Sequence, residues 1–447
     1  MSDPFYVVLP DYSIQRIALI TNGTSYSLPQ FAREEGIRYH TVATVNATVS
    51  TAWHIPVTVS HCLKEGVNGA HAVFLLHNHD ESSSLPPNVE WVELSQLNSI
   101  SFEEPTHQLC VSDWVSSKDD PSWNHVPWSK STFFGRATKW INEKVAQTGA
   151  TVLGAPIQIR TWALSCVLRV ETNNGTLYFK ALPDFFGHEP VLAKYLVEHF
   201  PKYFVDVVAI DASQHWMLMK EYAGSEPETY EHWHDILKAM TEIQSHYNGR
   251  LDELVSLGCS DRRLERLPEL LKPVSDELKQ PHMLEFYGVN EEEAEELGRR
   301  LHLLPELCRH LESCGIAETL IHGDLWGPNT IVRDTKSDKA PLIFDWTDAS
   351  VAHPFLDIYI STTSEKNEAK RSAQRQAHID VWSEYFPREQ VVKALEISEQ
   401  VAPYYFVLAW RNVQLNAPEQ SRWELIYLLH RFVRYILNAK QLDSKPA

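Results

Sequence analysis

The order of strand-like and helix-like runs is the feature that most constrains how this 447-residue chain folds. Up to about residue 220, short β-branched and aromatic runs bounded by Gly, Pro, Asn or Asp predict strands with few helices between them. From Glu226 onward the spacing of apolar residues is almost wholly helical, apart from one β-rich island over residues 320–347. This order predicts an α+β protein in which a small sheet lobe joins a larger helical lobe.

The sharpest change in composition lies at residues 116–128 (SSKDDPSWNHVPW), a run rich in Ser, Pro, Asp and Asn that is typical of an interdomain linker. The chain length itself leads us to expect two or three domains. The predicted segments are an N-terminal α/β domain over residues 1–116, a linker over 117–130, a sheet lobe over 131–222 and a helical lobe over 223–447.

Local spacing predicts the individual elements of the first half of the chain. In the N-terminal segment the predicted strands are residues 6–9, 16–21, 57–62 and 72–76, with a short helix within 40–54. After the linker the predicted order is a helix over 132–148, strands over 156–160, 165–171 and 176–182, and a helix over 188–199. The pair Asn174-Gly175 predicts a hairpin turn, since both residues tolerate positive φ.

Composition excludes several classes of protein. The formal net charge of −19 disfavours a general nucleic-acid or anionic-membrane binder, and it leaves a cationic small molecule open as a partner. The most apolar run, residues 402–410, is much shorter than the roughly 18 residues that span a bilayer, and the N-terminus has no secretory signal pattern. Six scattered cysteines without a CxxC pair suit reduced thiols. We therefore expect a soluble cytoplasmic protein.

The β-rich island carries the residues with the clearest chemical meaning. A short apolar strand leads to Asp324, Asn329 follows five positions later, and a second apolar strand ends at Asp345. Phosphoryl transfer from a nucleotide needs a carboxylate that accepts the proton of the attacking hydroxyl, together with oxygen ligands for Mg²⁺. Asp324 suits the first task, and Asn329 and Asp345 suit the second.

The island resembles the catalytic region of the aminoglycoside phosphotransferase and choline kinase group, which shares the bilobal fold of the protein kinases. The HGDxxxxN loop of that group is matched by His322, Gly323, Asp324 and Asn329, and its metal-binding aspartate is matched by Asp345. The resemblance implies that Asp324 is the catalytic base and that Asn329 and Asp345 bind the metal. It extends over residues 127–437, more than two thirds of the chain.

Two further residues are expected to support this site. His322 lies within the matched loop, and Asp357 closes the run WTDASVAHPFLD, which is similar to the segment after the metal-binding aspartate of the same group. The resemblance implies that Asp357 braces the catalytic loop through hydrogen bonds. The form HGDLW also occurs in fructosamine kinases, although the sequence around Asp345 is more similar to the aminoglycoside-type members. The motif alone leaves a loop-capping aspartate as an equal alternative.

Lys180 and Glu189 are the predicted phosphate clamp. Lys180 interrupts an otherwise apolar strand, where a charge is costly without a partner, and Glu189 begins the helix that follows. In kinases a strand lysine holds the nucleotide phosphates and is positioned by a helix glutamate. Glu198 is the alternative partner on the same helix, and a lysine that extends along a strand edge into solvent is the alternative for Lys180.

The predicted nucleotide site is completed by a hinge and a phosphate loop. Lys220, Glu221 and Tyr222 follow an apolar strand and are similar to the kinase hinge, whose backbone binds adenine. Neither GxGxxG nor a P-loop occurs, and the corresponding turn contains no glycine. Ser165 in that turn is the candidate phosphate contact.

The N-terminal segment loosely resembles a Nudix hydrolase that has lost its catalysis. The stretch at the position of the Nudix helix, residues 41–54, contains no carboxylate, so it cannot assemble a hydrolytic metal cluster there. The run His77-Asn78-His79-Asp80 is interpreted as a polar turn after a strand, with zinc binding as the weaker alternative. No GxSxG motif supports a hydrolase.

These residues predict a kinase that uses ATP, or GTP in its place, and Mg²⁺ to phosphorylate a hydroxyl of a small molecule. A nucleotide-binding pseudokinase is the alternative, favoured only by the glycine-poor phosphate loop. Protein phosphorylation is disfavoured, because DFG and APE are absent. The acceptor and the oligomeric state are left open by the sequence.

Overall fold

The computed structural model describes residues 4–32, 39–64, 71–118, 126–333 and 340–439, which form a mixture of helices and strands and confirm the α+β class. The chain divides into two compact units. The first contains the described residues up to Pro183 with Trp216–Leu218 and Ala417–Glu424, and the second contains Asp184–His215, Met219–Asn416 and the described residues from Leu425 on. Within the described ranges, no helix combines the length and the apolar character needed to cross a bilayer.

The predicted boundaries at residues 116, 130 and 222 stay a prediction. Residues 119–125 of the predicted linker lie outside the described residues. The linker is expected to begin at residue 117, where a helix that the sequence did not predict ends.

The N-terminal part of the first unit is built mainly from strands. Its described strands and helices are β1 (Pro4–Val8), β2 (Arg16–Thr21), β3 (Tyr26–Ser27), β4 (Gln30–Ala32), α1 (Ala43–Trp53), β5 (Val57–Lys64), β6 (Val73–Asn78), β7 (Val89–Glu93) and α2 (Pro105–Ser117). One sheet has the order β4-β1-β6-β5, with β1 parallel to β6, and the other has the order β3-β2-β7. The predicted helix within 40–54 is confirmed by α1.

Alternating side chains of β1 and β6 bury both faces of the first sheet. Phe74 and Leu76 belong to the apolar core that includes Val45 and Val49 of α1. Leu75, which points to the opposite face, belongs to the core that includes residues of β2 and of α2. The uninterrupted apolar run at the start of β6 is therefore explained by a strand that is buried on both faces of the sheet.

A helix and a meander follow in the first unit, and the chain then crosses into the second. The elements are α3 (Phe133–Gln147), β8 (Ile157–Thr161), β9 (Cys166–Thr172), β10 (Gly175–Ala181), α4 (Glu189–His199), β11 (Val207–Asp211) and β12 (Trp216–Lys220). The strand order of the sheet is β11-β12-β10-β9-β8. The predicted hairpin is present, although Thr172 pairs with Gly175. The turn residues are therefore Asn173 and Asn174, one position earlier than predicted, and Gly175 has a φ of +100°.

The second unit is mostly helical, and after β12 its described residues form five short strands. Its remaining elements are α5 (Tyr230–His246), α6 (Leu251–Ser256), β13 (Ser260–Asp261), α7 (Leu267–Glu277), α8 (Pro281–Tyr287), α9 (Glu291–Leu301), α10 (Leu304–Glu312), β14 (Thr319–Ile321), β15 (Thr330–Ile331), β16 (Leu342–Ile343), β17 (Ser350–Ala352), α11 (Asp357–Ser364), α12 (Glu368–Trp382), α13 (Arg388–Asn416) and α14 (Ile426–Asn438).

The short strands hold the loops of the predicted site. The fully buried strand β14 pairs antiparallel with β17, so that Ile321 faces Ser350 at its end. β15 pairs antiparallel with β16, so that Thr330 faces Ile343. The loop containing Asp324 begins at the end of β14, Asn329 immediately precedes β15, and Asp345 follows β16 by two residues. Two small pieces of sheet therefore fix where three candidate site residues lie.

Candidate active site

Gly323 determines the conformation of the loop that carries Asp324. Its φ is +81°, a region that L side chains rarely adopt. A Cβ atom added at Gly323 would lie 2.3 Å from the carbonyl oxygen of Asp348, so a side chain does not fit there without a shift of backbone. The glycine thus lets the catalytic loop approach the segment that contains Asp348.

Asn329 is tied to Asp324 by two hydrogen bonds. Its Nδ2 donates to the Asp324 carboxylate oxygen Oδ2 at 2.8 Å and to the Asp324 carbonyl oxygen at 2.9 Å. Because the amide nitrogen is committed in this way, the oxygen Oδ1 is the atom of Asn329 that a cation would use. Both side chains are thereby held in one orientation.

Asp345 is brought to the same loop by the β15–β16 hairpin. The N–H of Phe344 donates to the carbonyl oxygen of Asn329 at 3.1 Å, which joins the backbones next to the two predicted metal ligands. Asp345 has a φ of +65°, an uncommon conformation for a residue with a side chain. The Thr347 hydroxyl donates to Asp345 Oδ1 at 3.1 Å and lies 3.4 Å from Asp348 Oδ2.

Asp357 and His322 hold the catalytic loop from behind. The buried Asp357 carboxylate accepts hydrogen bonds from the N–H groups of His322 at 3.0 Å and of Gly323 at 2.8 Å. It also accepts one from Gln244 Nε2 at 3.3 Å. His322 Nε2 donates to the carbonyl oxygen of Phe344 at 3.0 Å, and Nδ1 accepts the N–H of Asp324 at 3.2 Å. This is the geometry expected of a brace.

Burial and neighbouring carboxylates control the protonation of the site. The pKa of Asp324 is raised well above its usual value by burial, and then by the negative charges of Asp348 and Asp345. Hydrogen bonding from Asn329 opposes that rise. Burial raises the pKa of Asp357 to about 7, and the N–H groups of Gly323 and His322 act in the opposite direction. A cation bound among Asp324, Asp345 and Asp348 would therefore reduce the repulsion between these carboxylates.

Glu189 also contacts the backbone next to Asp345, the predicted metal ligand. It is buried at the start of α4, and its Oε1 accepts the N–H of Trp346, the residue after Asp345, at 2.9 Å. Glu198, the alternative partner of Lys180, is exposed. Lys180 is buried on β10, opposite Val167. Lys180 belongs to the first unit and Glu189 to the second, and their pairing stays a prediction.

The predicted hinge residues have local partners. Lys220 Nζ forms an ion pair with Asp206 at 2.8 Å, and the Lys220 N–H donates to the carbonyl oxygen of Asp206 at 3.0 Å. The Lys220 N–H is therefore not available to adenine, and the backbone contacts predicted around residues 220–222 must use other groups. The Tyr222 hydroxyl accepts the N–H of Asp206 at 3.4 Å.

The predicted phosphate turn is a four-residue connection between β8 and β9, in which Thr161 pairs with Cys166. The Ser165 hydroxyl accepts the indole N–H of Trp162 at 3.0 Å, and Ser165 is buried. The Ala163 N–H donates to the Glu424 carboxylate at 2.8 Å. A side chain from the far end of the chain thus already binds one backbone donor of the turn.

Four residues of this arrangement were not assigned roles from the sequence: Gln244, Thr347, Asp348 and Glu424. Thr347 and Asp348 lie inside the run after Asp345, so their proximity in sequence was a usable signal. Gln244 and Glu424 are far away in the chain, and no sequence signal indicated them. Within the described ranges, no group of three or more His, Cys, Asp or Glu side chains is arranged to hold a metal ion.

The family comparison concerns the part of the chain that contains Asp324, Asn329 and Asp345. Residues 191–391 match the model of the phosphotransferase enzyme family. This match confirms the resemblance and the class of enzyme predicted from the sequence. The resemblance of the N-terminal segment to a Nudix domain stays a prediction. No curated protein matches the chain.

Several solved structures are similar at low identity. Macrolide 2'-phosphotransferase MphH from Brachybacterium faecium is 14% identical with a TM-score of 0.41, and the match covers 69% of this chain and 99% of that one. Choline kinase LicA from Streptococcus pneumoniae is 14% identical with a TM-score of 0.45, covering 68% and 100%. Ethanolamine kinase from Plasmodium vivax is 10% identical with a TM-score of 0.46, covering 77% and 93%.

Proposed function

We propose that this protein transfers the γ-phosphoryl group of ATP to a hydroxyl group of a small molecule. The observation that carries the proposal is the cluster of Asp324, Asn329 and Asp345. One amide joins the first two side chains at 2.8 Å, and one backbone hydrogen bond of 3.1 Å joins the loops of the last two. The same parts perform phosphoryl transfer in kinases.

Asp324 is the proposed base of this reaction. Its carboxylate Oδ2 is oriented by Asn329, and Oδ1 is the oxygen that would accept the proton of the acceptor hydroxyl. The raised pKa makes this carboxylate a better proton acceptor than an exposed aspartate. His322 and Asp357 keep the loop rigid, so Asp324 holds its position while the proton moves.

The donor set of Asn329 and Asp345 fits Mg²⁺, because both offer oxygen atoms and the amide nitrogen of Asn329 already has its own acceptor. When bound, the ion would neutralise the charge that develops on the transferred phosphate. The Thr347 hydroxyl donates to Asp345 Oδ1 and restrains that side chain, and Glu189 fixes the backbone beside it. Two protein ligands leave coordination positions for water and phosphate oxygens.

The proposed nucleotide contacts are Lys180, Ser165 and the backbone of Lys220, Glu221 and Tyr222. Lys180 would balance phosphate charge, and the hinge backbone would bind adenine. GTP is the alternative donor. Asp324, Asp345 and Asp348 together favour a cationic acceptor, since an ammonium group lowers the repulsion among the three carboxylates. We also propose that the reaction takes place in the cytoplasm.

The test is ADP release from ATP and Mg²⁺ across a panel of hydroxyl compounds with and without an amino group. Asp324→Asn should reduce the rate by about 10²-fold or more while leaving the binding of Mg²⁺–ATP intact, because it removes only the proton acceptor. The control is Asp235→Asn, an exposed aspartate of α5, which should keep the full rate. Turnover by Asp324→Asn at the wild-type rate would contradict the assigned base, and nucleotide binding without turnover of any acceptor would support the pseudokinase.

A further inference from the structure

A cavity of about 440 Å³ lies within the first unit, beside the carboxyl ends of the parallel strands β1 and β6. Its lining includes Pro10 and Asp11, which follow β1, and His77 and Asn78, which end β6. Ligands of open sheets bind outside the carboxyl ends of parallel strands, and small-molecule sites have volumes of about 300–1,000 Å³. Both its place in the sheet and its size therefore suit a small ligand.

The inner wall combines apolar surface with one polar atom. Leu75 and Trp114 supply apolar surface, and His77 is more than nine-tenths buried. His77 Nε2 lies 3.3 Å from the carbonyl oxygen of Trp128, and Nδ1 has no hydrogen-bond partner among the residues that the structure describes. Burial lowers the pKa of His77 to about 4, so the ring is neutral at pH 7. With Nε2 donating to Trp128, Nδ1 is an acceptor for a donor on a ligand.

The outer part of the cavity carries positive charge. Lys118 and the exposed Lys130 line it, and the hydroxyl group of Ser131 lies beside Lys130 in the chain. The Ser129 hydroxyl also lines the cavity but donates to the carbonyl oxygen of Val126 at 2.8 Å. Two lysines on one cavity stand out in a chain whose formal net charge is −19. Ammonium and hydroxyl groups together are the usual partners of an oxyanion.

Among the described residues that line the cavity, the single carboxylate, Asp11, does not cancel this charge. Asp11 accepts the N–H groups of Gln15 at 2.8 Å and Arg16 at 3.1 Å, and the Ser13 hydroxyl at 2.8 Å. It also forms an ion pair with the Arg16 side chain at 3.1 Å. The charge of Asp11 is thus balanced locally, and this saturated carboxylate is not available as a metal ligand for hydrolysis.

We propose that this cavity binds a small organic anion whose acidic group contacts Lys130, whose ring packs against Trp114, and whose far end donates a hydrogen bond to His77 Nδ1. The acidic group is a phosphate or a carboxylate, since both offer the same oxyanion chemistry. This is a binding site separate from the phosphotransferase residues, and its occupancy does not depend on the proposed reaction.

The test is isothermal titration calorimetry of the full chain without Mg²⁺ or nucleotide. The probes are 4-hydroxyphenyl phosphate and 4-hydroxybenzoate, which distinguish the two acidic groups, benzoate, which lacks the donor, and 4-hydroxybenzyl alcohol, which lacks the charge. At least one hydroxylated anion should bind in the micromolar to low millimolar range. Benzoate should bind several-fold more weakly, and the alcohol should give no measurable binding.

Lys130→Glu should weaken the binding of that anion at least tenfold, because it reverses the charge at an exposed position where folding is not at risk. The matched control is Lys144→Glu on α3, a lysine that does not line the cavity and should leave the affinity unchanged. Absence of binding by both hydroxylated anions, or equal affinity in Lys130→Glu and the wild type, would overturn the proposal.

Discussion

At the residue scale, the absence of a side chain at Gly323 and the hydroxyl group of Thr347 determine how closely the catalytic loop packs. The missing Cβ of Gly323 leaves room for the carbonyl oxygen of Asp348, and the hydroxyl of Thr347 bonds to Asp345. Neither Gly323 nor Thr347 takes part in the proposed chemistry itself. Both nevertheless decide where the reacting carboxylates lie.

Gly323→Ala should destabilise the protein and reduce its activity. The new Cβ would require a backbone shift, and the positive φ adds strain, so we expect a loss of roughly 1–3 kcal/mol in unfolding free energy. Denaturant unfolding measures the change. The control is Gly298→Ala in α9, where nothing lies within 4 Å of the added Cβ; that change should stabilise the protein by about 0.5–1 kcal/mol. Equal effects of the two changes would contradict the steric argument.

Thr347→Val should weaken the use of Mg²⁺. Valine keeps the shape of threonine and removes the donor that orients Asp345, so the apparent Mg²⁺ affinity should fall about tenfold. Titration of activity with Mg²⁺ measures it. Thr347→Ser keeps the hydroxyl and should behave as the wild type. An unchanged Mg²⁺ titration for valine would remove Thr347 from the positioning of Asp345.

At the element scale, the sequence predicted strands and amphipathic helices well where one periodicity was dominant. The helix α3 and the three strands of the meander lie within one or two residues of the predicted ranges, and the hairpin turn is one residue early. α2 was missed because only His107, Val111, Trp114 and Ser117 are buried along its 13 residues, which is a weak apolar stripe. Contacts that join elements, such as Gln244 to Asp357, have no signature in either sequence segment.

The junction between α11 and the catalytic loop can be tested with Asp357→Asn. Asparagine has nearly the same shape, but its NH₂ group would face a backbone N–H, so one of two loop hydrogen bonds is lost. We expect a fall in kcat of at least tenfold with a smaller change in KM, since the base is displaced while the remaining contacts to substrate stay. Steady-state kinetics measure the split. Unchanged kcat would show that the loop does not need this brace.

At the scale of the whole molecule, the site motif was sufficient to indicate the class of enzyme. Its residues His322, Gly323, Asp324 and Asn329 are adjacent in the chain or follow at a short spacing, so they can be recognised without a structure. The pairing of Lys180 with Glu189 and the role of the N-terminal segment are predictions that connect distant parts. They depend on tertiary packing, which spacing along the sequence does not specify.

Buried neutral histidines should make the fold sensitive to acid. Burial lowers the pKa of His353 and of His378 to about 3, while each titrates near 6.5 when unfolded. At these two positions the unfolded chain therefore binds more protons below pH 6.5, so their contribution to stability falls with pH by about 1.4 kcal/mol per pH unit for each histidine until the folded pKa is reached. The buried carboxyls of Asp324 and Asp357, whose pKa values are raised, act in the opposite direction. Denaturant unfolding between pH 7.5 and 5 measures this slope.

His378→Gln should reduce that slope, because glutamine does not titrate. The exposed His310, changed to Gln, is the control and should leave the slope unchanged. Equal slopes in His378→Gln and in the wild type would contradict a neutral His378 in the folded protein, because this comparison cancels the contributions of all other titrating groups.

The register of the β15–β16 hairpin has a consequence for engineering and for searching. Thr330 faces Ile343, so the distance between Asn329 and Asp345 in space is set by pairing and not by the number of residues that separate them in the chain. A longer sequence between these strands should be tolerated, since the entropic cost of closing a loop grows only slowly with its length. Likewise, a sequence-search pattern that fixes the number of residues between Asn329 and Asp345 would miss homologues with longer or shorter connections.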